Sequence, residues 1–256
     1  MNRVLIAAVA VMLIAPLRSS WGWQESDDGE ERSRKPSPKQ LFEPPVGLPR
    51  IAKDQKVWID LEKKAVVADG VICLREGQLE MFACPKGTKE HEAVVSLDAK
   101  AKFVHAGLLR LGLKPGSPVK FAPEYEAATG PEVEIYVAWK DETGKENKIK
   151  AQEWIKHAKT KEIMKHDWIF AGSGFWTDES TGDEHYFADN GDMVCVSNFT
   201  TAMLDLPIKS STDAADLLYI CNTEKIPKLG TPVRMYFQPK AVAKVEGKAE
   251  PKKAAK

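Results

Sequence analysis

Between Ile51 and Gln238 the chain breaks repeatedly into short runs rich in Val, Ile, Phe, Tyr and Trp, and that punctuation limits the fold more than any other feature. The runs are Val57–Asp60, Val66–Leu74, Gln78–Ala83, Ala93–Ser96, Val119–Phe121, Val133–Trp139, Trp168–Phe170, His185–Phe187, Met193–Ser197, Leu217–Ile220 and Val233–Phe237. Turn signals stand between many of them: Ala68-Asp69-Gly70, Glu76-Gly77, Asp141-Glu142-Thr143-Gly144 and Asp189-Asn190-Gly191. Short β-branched and aromatic runs bounded by Gly, Asn and Asp are strand and hairpin signals. Two stretches carry a helical pattern instead. Asp98 is placed to cap Ala99 to Leu111, with Gly112 as a stop and Pro115 beyond. Ala151 to Lys165 sets Trp154, Ile155 and Ala158 on one stripe. A shorter helical turn is expected after Ser211 or Thr212. The expected class is therefore α+β: mainly antiparallel sheet with two principal helices. Gly116-Ser117-Pro118-Val119 and Gly230-Thr231-Pro232-Val233 echo one another, which suggests two duplicated halves.

The flanks have a different character. Arg3 precedes an apolar run from Val4 to Leu17, and Ser20-Trp21-Gly22 supplies a small-x-small cleavage site. This is the layout of a signal peptide over residues 1–22, giving a periplasmic or secreted protein that starts at Trp23. The alternative is an uncleaved N-terminal membrane anchor, with Arg18 directly after the run. At 14 residues the run falls short of the roughly 20 that span a bilayer. No later segment approaches that length, so no membrane span is expected after cleavage. Residues 23–50 read as a disordered linker, acidic and then proline-rich, and residues 239–256 as a disordered Lys-rich tail. The folded domain is assigned to 51–238. The whole chain has 37 basic and 37 acidic residues, and losing Arg3 and Arg18 leaves 35 against 37. That balance removes the simplest case for a nucleic-acid partner, which needs a basic surplus.

Two segments carry a resemblance. Leu79-Glu80-Met81-Phe82-Ala83-Cys84-Pro85-Lys86-Gly87-Thr88-Lys89-Glu90-His91-Glu92-Ala93 resembles the YdjY-like domain of exported bacterial proteins. So does Gly191-Asp192-Met193-Val194-Cys195-Val196-Ser197-Asn198-Phe199, followed by Leu204-Asp205-Leu206-Pro207-Ile208. The resemblance spans about Val57 to Phe237 and brings no catalytic residues with it. Some members carry a ferredoxin-like description, but Cys73, Cys84, Cys195 and Cys221 lack the C-x2-C run of an iron–sulfur site. No cluster is expected here. An oxidising compartment permits disulfides among the four, and their pairing is left open.

Lys89-Glu90-His91-Glu92 is the candidate ligand-binding segment. Histidine and carboxylates are ordinary ligands for a divalent metal, the one cofactor the sequence admits. On an extended strand Glu90 and Glu92 share a face while His91 points away, so a metal set would be Glu90, Glu92 and His105. The competing reading has these residues bonding a loop and His105 packing in the core. Cys84 and Cys195 are the candidates for a redox role. Asp178 to His185 reads as a solvated hairpin turn. Trp139, Trp154, Trp168 and Trp176 either stack on a sugar or peptide ligand or fill the core. The resulting expectation is an exported, noncatalytic binding or assembly module whose partner is an envelope protein or a small ligand. A metal-dependent hydrolase and a redox accessory protein are the alternatives.

Overall fold

The computed structural model describes residues 37–210 and 216–241. The first hairpin is β1 (Val57–Asp60) and β2 (Ala65–Ile72). After it come β3 (Gln78–Leu79), β4 (Met81–Pro85), β5 (Ala93–Leu97) and the α-helix α1 (Ala101–Arg110). A second hairpin joins β6 (Glu132–Lys140) to β7 (Glu146–Lys150). The remaining strands are β8 (Ile155–His157), β9 (Trp168–Phe170), β10 (Phe175–Thr177), β11 (Glu184–Tyr186), β12 (Val194–Cys195), β13 (Leu204–Asp205), β14 (Tyr219–Cys221) and β15 (Pro232–Pro239).

Eight strands close into a barrel in the order β2, β15, β6, β9, β13, β12, β4, β5, and β5 returns to β2. The pairs β12–β13 and β4–β5 are parallel; the other barrel pairs are antiparallel. The α+β expectation is thus corrected to a closed, mostly β fold with one α-helix among the described residues. The second expected helix does not form. Ala151–Trp154 makes a single 3-10 turn, and Ile155–His157 is β8, paired with Tyr219, Ile220 and Cys221 of β14. Trp154 and Ile155 are both fully buried, so strand pairing across the sequence overrode a local stripe that was only three residues strong. The two duplicated halves are not seen either. Pro232–Pro239 is the strand that joins β2 to β6, whereas Ser117 and Lys120 make only isolated bridges in a loop. The turn expected after Ser211 or Thr212 lies outside the described residues.

An eight-stranded barrel is just wide enough for side chains to fill it. Phe82, Trp168, Phe170, Ile135 and Phe237 are fully buried in the main core, with Phe82 5.8 Å from the Trp168 ring. On β2 the pleat alternates: Val66 and Ala68 join this core, while Ala65 and Val67 join a second cluster with Trp58. Gly70 sits where β2 meets both β15 and β5, and a Cβ there would lie 2.3 Å from the Ser96 carbonyl oxygen. Ala101, Val104 and Leu108 seat α1 on the main core. Its N-terminus is capped from a distance. Asp189 Oδ1 accepts the Lys102 N–H at 3.0 Å and Gln55 Oε1 accepts that of Lys100 at 2.8 Å. Asp98 pairs instead with Lys56 and Lys86.

The segment read as linker contacts the barrel from residue 37 onward. Ile51 and Ile59 N–H groups bond Val57 and Pro49 carbonyls, covering the outer edge of β1. Phe42 lies between two cations, 4.7 Å from Arg234 and 5.2 Å from Lys140. Arg234 also bonds both oxygens of Asp69 at 2.6 and 2.8 Å and the Glu43 carbonyl at 2.9 Å. Among the described residues no helix is long and apolar enough to cross a membrane.

Candidate functional site

The two segments that carry the resemblance meet in space. β4 pairs with β12, placing Ala83 opposite Val194 and Met81 opposite Cys195. The Glu80 carbonyl accepts the N–H groups of Val196 and Ser197 at 2.8 and 3.0 Å. Lys89 then bridges the segments: its ammonium lies 3.4 Å from Glu92, 3.1 Å from Asp192 Oδ1 and 4.4 Å from the Phe199 ring. Asp192 Oδ2 accepts a short bond from the Thr201 hydroxyl. Gly191, at φ 137°, is required beside it, since a Cβ there would meet the Lys89 stem at 2.5 Å. Burial would lower the Lys89 ammonium, but Asp192 and Glu92 outweigh it and hold it above its ordinary value. Burial, then the neighbouring Glu92 carboxylate, raises Glu80. The result is a clamp in which one ammonium, paired with Glu92 and Asp192, sits among three carboxylates.

A second buried network adjoins it. Asp205 is fully buried, and its Oδ1 accepts bonds from Asn198 Nδ2 at 2.9 Å and the Leu206 N–H at 2.8 Å. Among the described residues its Oδ2 and the Ser197 hydroxyl have no hydrogen-bond partner. Burial pushes the Asp205 carboxyl up to about 7, against the pull of those two donors. Asn198 ties this carboxylate to Ser210 and to the Tyr125 hydroxyl.

The predicted site residues are divided between different places. Lys89 and Glu92 belong to the clamp. Glu90 accepts the Gly87 N–H and the Ser96 hydroxyl, which outweigh burial and hold its carboxyl below the usual range. His91 is exposed, 3.8 Å from Glu92. His105 sits on α1 with Nδ1 2.7 Å from the Tyr186 hydroxyl, which itself donates to the Gly172 carbonyl. Burial lowers the His105 pKa, and its ring stands edge-on to Phe170 at 4.9 Å. Glu90 and Glu92 lie in a turn, not on a strand face, so the geometry that would converge them with His105 is missing. Among the described residues no group of three or more His, Cys, Asp and Glu side chains is arranged to hold a metal. Cys84 and Cys195 do share one small apolar cluster, with Met81 and Phe199. All four cysteines are free. Burial pushes the Cys84 thiol up to about 11, and burial with Asp205 raises Cys195 well above its ordinary value. Neither is in the thiolate form that redox exchange uses at neutral pH.

Open surface lies elsewhere, along one rim of the barrel. A depression of about 460 Å³ is lined by Ser37, Gln40, Trp139, Glu142, Lys228 and Leu229. It shares Trp139 with a second, of about 470 Å³, that includes Ile149, Lys150 and Lys225. It shares Leu229 and Gly230 with a third, of about 490 Å³, that includes Val71, Cys73, Glu90 and His91. The shared walls put the three in a row. The turn after β6 that forms one bank is held by Asp141 Oδ1, which accepts the Thr143 and Lys145 N–H groups at 2.9 and 3.0 Å.

Residues 57–238 match the YdjY domain. The chain belongs to this family. No curated protein and no solved structure matches it. The YdjY domain begins at the first residue of β1 and ends within β15, so it contains α1, the clamp and most of the rim. Ser37 and Gln40, which complete the first depression, precede the domain. Sequence reasoning overlooked Glu80 and Asp205 as site residues and did not connect Asp192 to Lys89. The available signal was an acid between apolar neighbours, as in Leu79-Glu80-Met81 and Leu204-Asp205-Leu206. Nothing local pointed to the rim, because its walls come from widely separated parts of the chain, from Ser37 to Thr231.

Proposed function

We propose that this YdjY domain is an exported, noncatalytic binding or assembly module of the periplasm or cell envelope, and that it binds along the rim groove. One observation carries the reading. The barrel interior is filled by Phe82, Trp168, Phe170 and Phe237, so a ligand must be held on the outside, where the rim supplies adjoining concave walls. The signal-peptide layout of residues 1–22 supports the compartment. The raised thiols and the self-paired Lys89 cluster offer neither an activated nucleophile nor a free general base.

The test is cell fractionation followed by sedimentation of the purified mature chain with isolated envelope fragments. The expected result is a periplasmic protein starting at Trp23 that sediments saturably and is competed off by unlabelled protein. Retention in the cytoplasm, or no saturable binding, would overturn the reading. The metal-hydrolase alternative predicts a zinc-dependent rise in melting temperature that Glu92→Ala and His105→Ala both abolish. The redox alternative predicts fast labelling of Cys84 or Cys195 in the native protein.

A further inference from the structure

We infer that the outer edge of β7 takes an extended peptide of a partner protein, one that alternates apolar and acidic residues. This rests on the reading of the rim as the binding surface, because one of its depressions lies beside that edge. β7 pairs with β6 on one side, and among the described residues no strand pairs with its other side. Which groups point outward follows from the ladder. The Asp141 N–H bonds the Lys145 carbonyl at 3.0 Å, and along an antiparallel pair the bonded positions alternate. Asn147 and Ile149 therefore exchange bonds with Trp139 and Val137. Glu146 and Lys148 turn their N–H and carbonyl groups away from β6, an open edge of the kind to which a peptide adds as a further strand. The far side of β6 agrees: the Lys240 N–H bonds the Glu132 carbonyl, so the even-numbered residues of β6 bond toward β15.

The two faces of β7 set what the peptide must carry, since successive residues of an added strand fall on alternate faces. On the face of Ile149, the depression of about 470 Å³ offers Trp139 and Ile149, both half-buried. The charges around it are already matched: Lys225 lies 3.5 Å from Glu153, Lys156 3.3 Å from Glu224 and Lys150 2.7 Å from Glu134. What remains for a ligand there is apolar contact. On the face of Lys148 the balance differs. Lys148 is exposed, lies 4.0 and 5.1 Å from the rings of Tyr236 and Tyr136, and among the described residues has no carboxylate within ion-pair distance. Burial and then the nearby Lys63 hold its ammonium below its ordinary value, against the pull of Glu146. An acid directly opposite supplies the missing partner, because cross-strand pairs of opposite charge stabilise a sheet. The same lysine guards the edge. A second copy, in the register that uses all of β7, would set Lys148 against its own counterpart. The edge thus admits an acidic strand and resists its own kind.

The test titrates the full mature chain into three labelled, capped peptides, followed by fluorescence anisotropy. They are Val-Thr-Val-Glu-Val-Thr-Val, the same peptide with Lys at its centre, and a form N-methylated at the central Glu. The first is expected to bind and the other two to be at least about tenfold weaker, one losing the charge match and the other a main-chain bond. Lys148→Glu is expected to reverse the preference between the Glu and Lys peptides. Lys148→Pro is expected to abolish binding and to keep the fold, since proline is tolerated on an edge strand where the N–H faces solvent. Should proline disturb the strand, the reversal by Lys148→Glu still decides the matter. Equal or tighter binding of the Lys or N-methylated peptide, or wild-type affinity in Lys148→Pro, would overturn the inference. So would a dimer of the chain alone that Lys148→Pro dissociates, which would assign the edge to a second copy. If no peptide binds but the chain still sediments with envelope, the peptide inference fails alone. If neither occurs, both readings fail together.

Discussion

The Lys89 clamp and the rim groove are built from the same residue types, lysine, aspartate, glutamate and one aromatic ring, yet they differ in how much water they see. In the clamp the side chains of Lys89, Glu92 and Asp192 are 27, 20 and 12% exposed. On the rim Lys228 and Glu142 are 55 and 73% exposed at a nearly identical separation of 3.1 Å. In the first setting each charge depends on its partner, because water cannot replace it. In the second the pair is worth little to folding, and its donors and acceptors remain available to a ligand. The same chemistry thus serves cohesion in one place and leaves recognition open in the other.

The largest expected difference is in thiol protection beside the clamp. Cys84 and Cys195 should label at least about 10³-fold more slowly in the native protein than in denaturant, since the reagent must wait for opening. Native labelling at the rate of a free thiol would show that the cluster is loose and would break the comparison. Next comes Lys89→Met, which leaves three carboxylates facing one another. With an allowance for partial exposure, it should cost about 2–3 kcal/mol, or roughly 5–10 °C in melting temperature at neutral pH. The loss should shrink as pH falls and Glu80, held above its ordinary value by burial and by Glu92, takes up a proton. A loss that does not change with pH would assign the effect to packing of the lysine stem.

Asp205 sharpens the same point. Its folded value of about 7 lies above the ordinary aspartate value near 3.9, so the folded state binds the extra proton. Its contribution is fully present below about pH 4 and is lost as pH rises to about 7. Asp205→Asn keeps an oxygen for Asn198 and Leu206 but cannot ionise. It should flatten the pH dependence of the melting temperature across that window and be more stable than wild type at pH 8, by about 1–2 kcal/mol. Parallel pH curves for the two proteins would refute this. The smallest effect belongs to the rim: Lys228→Ala should change stability by less than about 0.5 kcal/mol. A larger loss would mean that the groove is scaffold after all.

Much of the strand content was legible from local pattern. β1 and β9 match the expected runs residue for residue, and β5, β6 and β15 differ only by a residue or two at their ends. The strands that went unread are β7, β8, β10 and β13. β7 reads Glu-Asn-Lys-Ile-Lys, too polar to announce a strand, and it exists because it pairs with five residues of β6. β13 is two residues long and is held by β9 and β12 on either side. The candidate segment at Lys89 was found, but its division into a clamp half and a rim half was not, because period-2 reasoning holds only on a strand and these residues occupy a turn.

By itself the sequence determined the β-rich character of the chain, the position of α1 and the family to which residues 57–238 belong. Each of these depends on patterns within a few residues or on a contiguous motif. Closure of the barrel, the fate of 151–165 and the meeting of Lys89 with Asp192 were decided only by tertiary structure. A strand's hydrogen bonds and a buried charge's partner are supplied from outside the segment. Here they come from about a hundred residues away along the chain for Lys89 and from over sixty for β8.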